Sequence, residues 1–231
     1  MVNVSQQIKS IRKGLGNILY YRDNDINLDL FISSLIEYNS FKTTEEIINW
    51  VKSINSKEFF NVTKIPLVEM EKWYFDSDNG DLLHESGGFF SIKGLEVTTN
   101  YGDIPHWTQP IIDQPEIGIL GIIAKRFNGI LYFLLQAKPE PGNINTYQLS
   151  PTVQATKSNY KQLHNGKPTV YIEYFTNLKT HNVIVDQIQS EQGARFYKKR
   201  NRNIIIEVPD NEEIELGPNF CWLTLRQISK M

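Results

Sequence analysis

Two apolar runs, Glu116 to Ala124 and Gly129 to Ala137, flank Phe127-Asn128-Gly129. Asn-Gly between such runs signals a tight antiparallel hairpin, because the turn that matches strand twist needs positive φ at both central residues. A hairpin this apolar must be covered, so the rest of the chain has to wrap a sheet. VTKIPLV (62–68), WYFD (73–76), FFSIKGLEVTT (89–99), TVYIEYF (169–175), NVIVDQIQ (182–189) and NIIIEV (203–208) read as further strands. Leu28, Phe31, Ile32, Leu35 and Ile36 repeat at helical spacing. Thr43 or Thr44 caps a second helix carrying Ile47, Ile48, Val51 and Ile54. SEQGARFYKK (190–199) holds a short helix, and LTLRQISK (223–230) closes the chain as a helix capped by Thr224. Helices around a mostly antiparallel sheet make the class α+β. The 231 residues divide into a helical appendage over 1–60 and one domain over 61–231.

The segment after the hairpin, Gln136 to Tyr160 (QAKPEPGNINTYQLSPTVQATKSNY), shows neither strand alternation nor helical spacing. Pro139, Pro141, Gly142 and Pro151 oppose regular hydrogen bonding. Ile144, Leu149 and Val153 argue for order. It reads as an irregular loop wall offering neutral hydrogen-bonding groups to a polar ligand.

Composition narrows the function. With 24 basic and 26 acidic residues the net charge is −2, which gives nucleic-acid binding no broad basic surface. No apolar run approaches the ~20 residues of a membrane span, and the first fifteen residues lack a signal-peptide core. The expected location is the cytoplasm. Cys221, the single cysteine, sits in FCWLTL as core filler. The four histidines, 84, 106, 164 and 181, have no metal-ligand spacing. DSDNGD (76–81) reads as a turn; it lacks the glycine position and closing glutamate of a calcium loop. Nucleotide-binding and dinucleotide fingerprints are missing, so neither a metal nor a bound cofactor is expected.

Two further clusters carry chemistry. Arg195, Lys198, Lys199, Arg200 and Arg202 crowd into eight positions. They form a solvated face, an import patch or a seat for a compact anion, to which guanidinium forks are suited. Trp107-Thr108-Gln109-Pro110 sets an aromatic ring beside a Pro-fixed turn, as a stacking platform or a core plug. His164 ends the polar segment in KQLHNG.

Taken together, W-x-Q-P at 107–110, Q-A-K-x-E-P-G-N at 136–143, Q-L-S-P-T-V-Q-A-T-x-S-N-Y at 148–160, Q-S-E-Q-G-x-R-F at 189–196, K-R-N-R-N at 199–203 and W-L-T-L at 222–225 resemble the NDP-hexose 2,3-dehydratase family. Members typically resemble two such units in tandem, whereas this chain holds one, so the resemblance implies a homodimer. It also implies a Nudix-like fold, although the acidic Nudix box is missing and metal-dependent diphosphate hydrolysis is not expected. The implied substrate is a dTDP-linked 4-keto-6-deoxyhexose. Its C3 proton is removed and its C2 hydroxyl eliminated, giving a 3,4-diketo-2,6-dideoxy sugar without a cofactor.

Under that resemblance Glu140 and His164 are the leading acid–base candidates, with Tyr160 a second acid and Lys138 a cation for the ketone or phosphate. Asn143, Gln148, Gln154, Ser158 and Asn159 suit sugar hydroxyls and base edges, with Gln109 beside them. Arg195, Lys199, Arg200 and Arg202 are diphosphate ligands, Glu191 orients an arginine or acts as base, and Trp107 stacks on the base. The competing reading is a non-catalytic nucleotide-sugar binding module.

Overall fold

The computed structural model describes residues 4–16, 25–36, 40–156, 169–178 and 181–231. Its centre is a seven-stranded mixed sheet. β5 (Gly118–Phe127) and β6 (Ile130–Pro139) form the expected hairpin, with Asn128 at φ +53° and Gly129 at φ +78°. Around them the order is β11 (Phe220–Leu223), β6, β5, β10 (Arg200–Glu207) and β9 (Asn182–Ser190). Among the described residues of this sheet, the β5–β10 pairing alone is parallel. A smaller antiparallel sheet holds β1 (Trp73–Phe75), β2 (Leu82–His84), β3 (Ser91–Thr98) and β4 (His106–Asp113).

Strand alternation gives the large sheet two apolar faces. One carries Ile119, Ile123, Ile130, Tyr132, Leu134, Ile204 and Ile206 in a core with Phe175. Gly121 exists for that core: a Cβ there would lie 2.6 Å from the Phe175 ring. The other face carries Ile122, Ala124, Leu131, Phe133, Leu135 and Ile205. Over it lie α2 (Ile26–Leu35), α3 (Thr44–Lys57) and the C-terminal turn of helix Leu225–Ile228. α3 opens with the expected cap, a reciprocal box between Thr43 and Glu46, and Thr224 caps the C-terminal helix in the same way with Gln227.

α2 is bonded to the sheet as well as packed on it. Ser33 Oγ donates to the Leu131 carbonyl at 2.7 Å and accepts from the Leu225 N–H at 2.9 Å. Asp29, nearly fully buried, joins Arg12 of α1 (Val4–Gly16) at 2.9 Å and Arg126 at 2.8 Å; Arg126 also pairs with Glu207. A buried carboxylate is tolerable only with such partners.

Four local expectations are corrected. Residues 62–66 form no strand; a 3₁₀ turn follows at Leu67–Glu69, and Val62, Ile65, Leu67 and Val68 are exposed. TVYIEYF is a turn leading into the short helix Glu173–Thr176, since Tyr171 at φ +63° breaks the extended path. Residues 191–199 form no helix: they are tight turns tied to β4 through Ile112 and bridged at Phe196. Trp107 to Pro110 are strand residues of β4, not a turn.

Candidate functional site

The largest correction concerns residues 136–156, which are mostly strand. Beyond the end of β6, only 140–146 turn before β7 (Tyr147–Pro151) and β8 (Val153–Ala155). β7 pairs with β6, Leu135 opposite Pro151, while β8 pairs with β5, Gly121 opposite Val153. Both pairings are antiparallel and β5 opposes β6, so the chain reverses between β7 and β8. Together they form a V inserted where β5 and β6 separate.

Thr152 is the tip of the V. Its hydroxyl accepts from the Ile123 N–H at 3.0 Å and donates to the Leu134 carbonyl. Ile123 and Leu134 face each other as the last pair before the fork. A buried hydroxyl thus replaces one rung of the ladder and satisfies both backbone groups that the fork would orphan. Gln136 Nε2 donates to the Pro151 and Thr152 carbonyls at 3.0 and 3.3 Å, locking the same tip.

Glu140 and Lys138 stand at the open mouth of the V. Lys138 Nζ lies 3.2 Å from Glu140 Oε1, and Gln154 Nε2, reaching over from β8, donates to the same oxygen at 2.8 Å. The turn is held from within: the Glu140 N–H donates to the Thr146 carbonyl at 3.2 Å, and Asn143 Nδ2 donates to that carbonyl at 2.9 Å. Asn143 therefore shapes the turn that presents the carboxylate. Thr146 stands at φ +58° to close it.

Gln154 opposes Leu120, and Leu120 opposes Asn203 on its other side. Directly opposed residues share a face, so Gln154 and Asn203 stand on one face, about 9–10 Å apart across two strand spacings. That is the face of Ile122 and Ile205. Segments 136–156 and 189–203 thus flank the same stretch of β5. Gly118, two residues before Leu120 on the same strand, lets the sheet close tightly: a Cβ there would lie 3.0 Å from Asn201 Oδ1 and 3.2 Å from the Ala155 carbonyl.

Ile122 and Ile205 also floor a cleft of about 1080 Å³, walled by Ile48, Val51 and Asn55 of α3 and by β7, including Gln148. The cleft and the amide row are neighbours on one sheet face. Asn201 and Asn203 are masked in the sequence by the cations beside them, Lys199, Arg200 and Arg202. The alternation in K-R-N-R-N was the available signal: in a strand it sends the asparagines to one face and the arginines to the other.

The cations do not converge. Arg202 is engaged by Asp186 through bonds of 2.7 and 2.6 Å, on the face opposite Asn203. Lys199 is buried and donates to the Glu116 carbonyl; desolvation lowers its pKa. Lys198, at φ +50°, lies over the Tyr197 ring. Arg195 and Arg200 are exposed, and neither guanidinium is in an ion pair among the described residues. Glu191 accepts from Asn201 rather than from an arginine.

Trp107 Nε1 donates to Gln109 Oε1 at 2.8 Å, and Gln109 Nε2 donates to the Ala194 carbonyl at 3.0 Å. The small sheet is thereby tied to the turn before β10, and Trp107 keeps an exposed ring. Ser158, Asn159, Tyr160 and His164 lie outside the described residues.

The sequence comparisons agree on one family. Residues 44–231 match the family model described as NDP-hexose 2,3-dehydratase. A dTDP-4-dehydro-6-deoxy-alpha-D-glucopyranose 2,3-dehydratase of Saccharopolyspora spinosa is 48% identical over 196 residues, 85% of this chain and 40% of that one. The protein of the same name from Amycolatopsis orientalis is 48% identical over 193 residues, 81% of this chain and 41% of that one. The chain spans about two fifths of the length of these curated relatives. Solved structures overlap it loosely. The C. elegans Ap4A hydrolase gives a TM-score of 0.31 at 11% identity, covering 51% of this chain and 86% of that one. A Nudix hydrolase from M. Smegmatis, RenU, gives 0.33 at 11%, covering 58% and 83%. Overlap at this level carries no argument about chemistry.

Proposed function

The chain belongs to the NDP-hexose 2,3-dehydratase family, and from that premise we propose that it dehydrates a dTDP-linked 4-keto-6-deoxyhexose at C2 and C3. The observation that carries this reading is the Lys138–Glu140–Gln154 cluster at the mouth of the V. It joins a proton-transfer group, a cation and a neutral donor, and the turn that carries Glu140 reaches the cleft through Thr146, whose carbonyl accepts from the Glu140 N–H; the cleft is large enough for a nucleotide sugar.

The C4 ketone acidifies the C3 proton. Glu140 takes that proton, and the C–H electron pair becomes the C3–C4 π bond, with charge on the C4 oxygen. That charge returns as a carbonyl when the C2–O bond breaks, leaving a C2–C3 double bond. The departing hydroxide takes a proton and leaves as water. The C3 enol then ketonises with protonation at C2, giving the 3,4-diketone. The redox change is internal to the sugar. Lys138 stabilises the C4 oxyanion, a role worth ~3 kcal/mol when the donor is preorganised. Tyr160 and His164 are the candidates for protonating the C2 oxygen. Gln148 and Asn203 meet the sugar hydroxyls. Arg195 and Arg200, which are in no ion pair among the described residues, bind the diphosphate, and Trp107 stacks on the base. Lys199 and Arg202 leave this set because their charges are engaged within the fold.

The protein acts in the cytoplasm as a homodimer in this reading. The exposed apolar side chains Phe59, Val62, Ile65, Leu67 and Val68 support such pairing.

The test is incubation with a dTDP-4-keto-6-deoxyglucose preparation without added metal or nicotinamide. Mass loss of one water supports the dehydratase. Unchanged sugar bound with its nucleotide intact indicates the binding module instead.

A further inference from the structure

We infer that Gln154 is a positioning residue that divides the Glu140 carboxylate into a held oxygen and a working one. This rests on the dehydratase reading of Glu140. Oε1 receives both neighbours, the Lys138 ammonium at 3.2 Å and the Gln154 carboxamide at 2.8 Å. Both neighbours can only donate at those atoms, so Oε1 is confined to accepting. A carboxylate oxygen whose acceptor sites are filled by two donors is a poor place for a proton. Oε2 is therefore the atom that takes the C3 hydrogen.

The supports come from separate strands. Lys138 precedes the turn on β6, while Gln154 arrives from β8. β6 and β8 are not paired with each other, so Gln154 also ties the two arms of the V across its mouth. Gln154 is fixed in turn by the β5 pairing at Leu120. The carboxylate is thus oriented from both sides of the fork, which near-attack geometry requires. Without Gln154, Lys138 alone holds Oε1, and the carboxylate is free to swing about its last bonds.

The test uses Gln154→Met, which keeps length and loses the donor, and Gln154→Glu, which sets a second carboxylate against the first. The carboxyl carbon of Glu140 is followed by ¹³C NMR at one fixed pH, identified by its loss in Glu140→Gln, because its chemical shift reports the hydrogen bonds it accepts. Among the described residues, Lys138 and Gln154 are the groups bonded to this carboxylate. Removing the donor in Gln154→Met moves that resonance, and the second carboxylate of Gln154→Glu moves it as well. In turnover, Gln154→Met lowers kcat about tenfold with KM within about twofold, and the isotope effect of deuterium at C3 on kcat rises because proton abstraction is the step slowed. An unmoved Glu140 resonance in both folded variants overturns the inference, whatever the activity. Wild-type protein that leaves the keto sugar intact while the resonance still moves refutes the dehydratase reading instead, and leaves the grip on Oε1 standing.

Discussion

Arg202 closes a two-pronged ion pair on Asp186, turning what reads in the sequence as a phosphate ligand into a clasp between β9 and β10. The bond from Arg202 is the main cause that holds the Asp186 carboxyl below its usual range. A depressed carboxylate stabilises the fold above its unfolded pKa and loses that contribution as pH falls through the folded value. Arg202→Ala therefore lowers stability at pH 7 by up to about 1 kcal/mol, because both partners are partly exposed and screened. The difference from wild type fades as pH falls below the ordinary carboxylate range, followed by urea unfolding at each pH. Affinity for dTDP, read by calorimetry, falls more for Arg200→Ala than for Arg202→Ala.

Thr152→Val keeps the shape of the V's tip and removes its hydroxyl. The Ile123 N–H and the Leu134 carbonyl lose their shared partner inside the sheet. The expected cost is ~1–3 kcal/mol in chemical denaturation, with an unchanged slope. Thr152→Ser, which restores the hydroxyl, recovers most of it.

Gly121→Ala drives a methyl group into the Phe175 ring, whose nearest atoms would lie 2.6 to 2.8 Å away. Overpacking of this kind costs ~1–3 kcal/mol. Adding Phe175→Leu in the Gly121→Ala background costs less than it does in wild type. A double-mutant cycle that shows strict additivity would place the strain elsewhere.

The Cys221 thiol is pushed up to about 11 by burial. At pH 8 the folded protein holds roughly one thiolate per thousand molecules, so a thiol reagent labels it slowly. Labelling that accelerates in step with loss of secondary structure confirms a packing role. Fast labelling of native protein would make it accessible.

The hairpin, the two capped helices and the strand-rich character were legible because Asn-Gly, the Thr43 box and alternating apolar residues act through local geometry. The V was not. Pro139 and Pro151 looked like breakers, yet both end strands, where a missing N–H costs little. Thr152 carries no local sign, since its value comes from two backbone groups brought beside it by other strands. Composition counts charges and cannot see which are already paired: Lys199 donates to the Glu116 carbonyl and Arg202 is bonded to Asp186. Glu140 was legible as a residue held by its turn, but the oxygen held and the donor that holds it depend on β8 crossing to the other arm.

A hydroxyl at the tip of a wedge gives the two arms a fixed pivot, while the residues that vary the opening lie at the far end. The 140–146 turn can therefore lengthen or shorten without moving the pivot, in the way a pair of compasses is reset at its points. The hinge and the apolar sheet beneath it stay as they are.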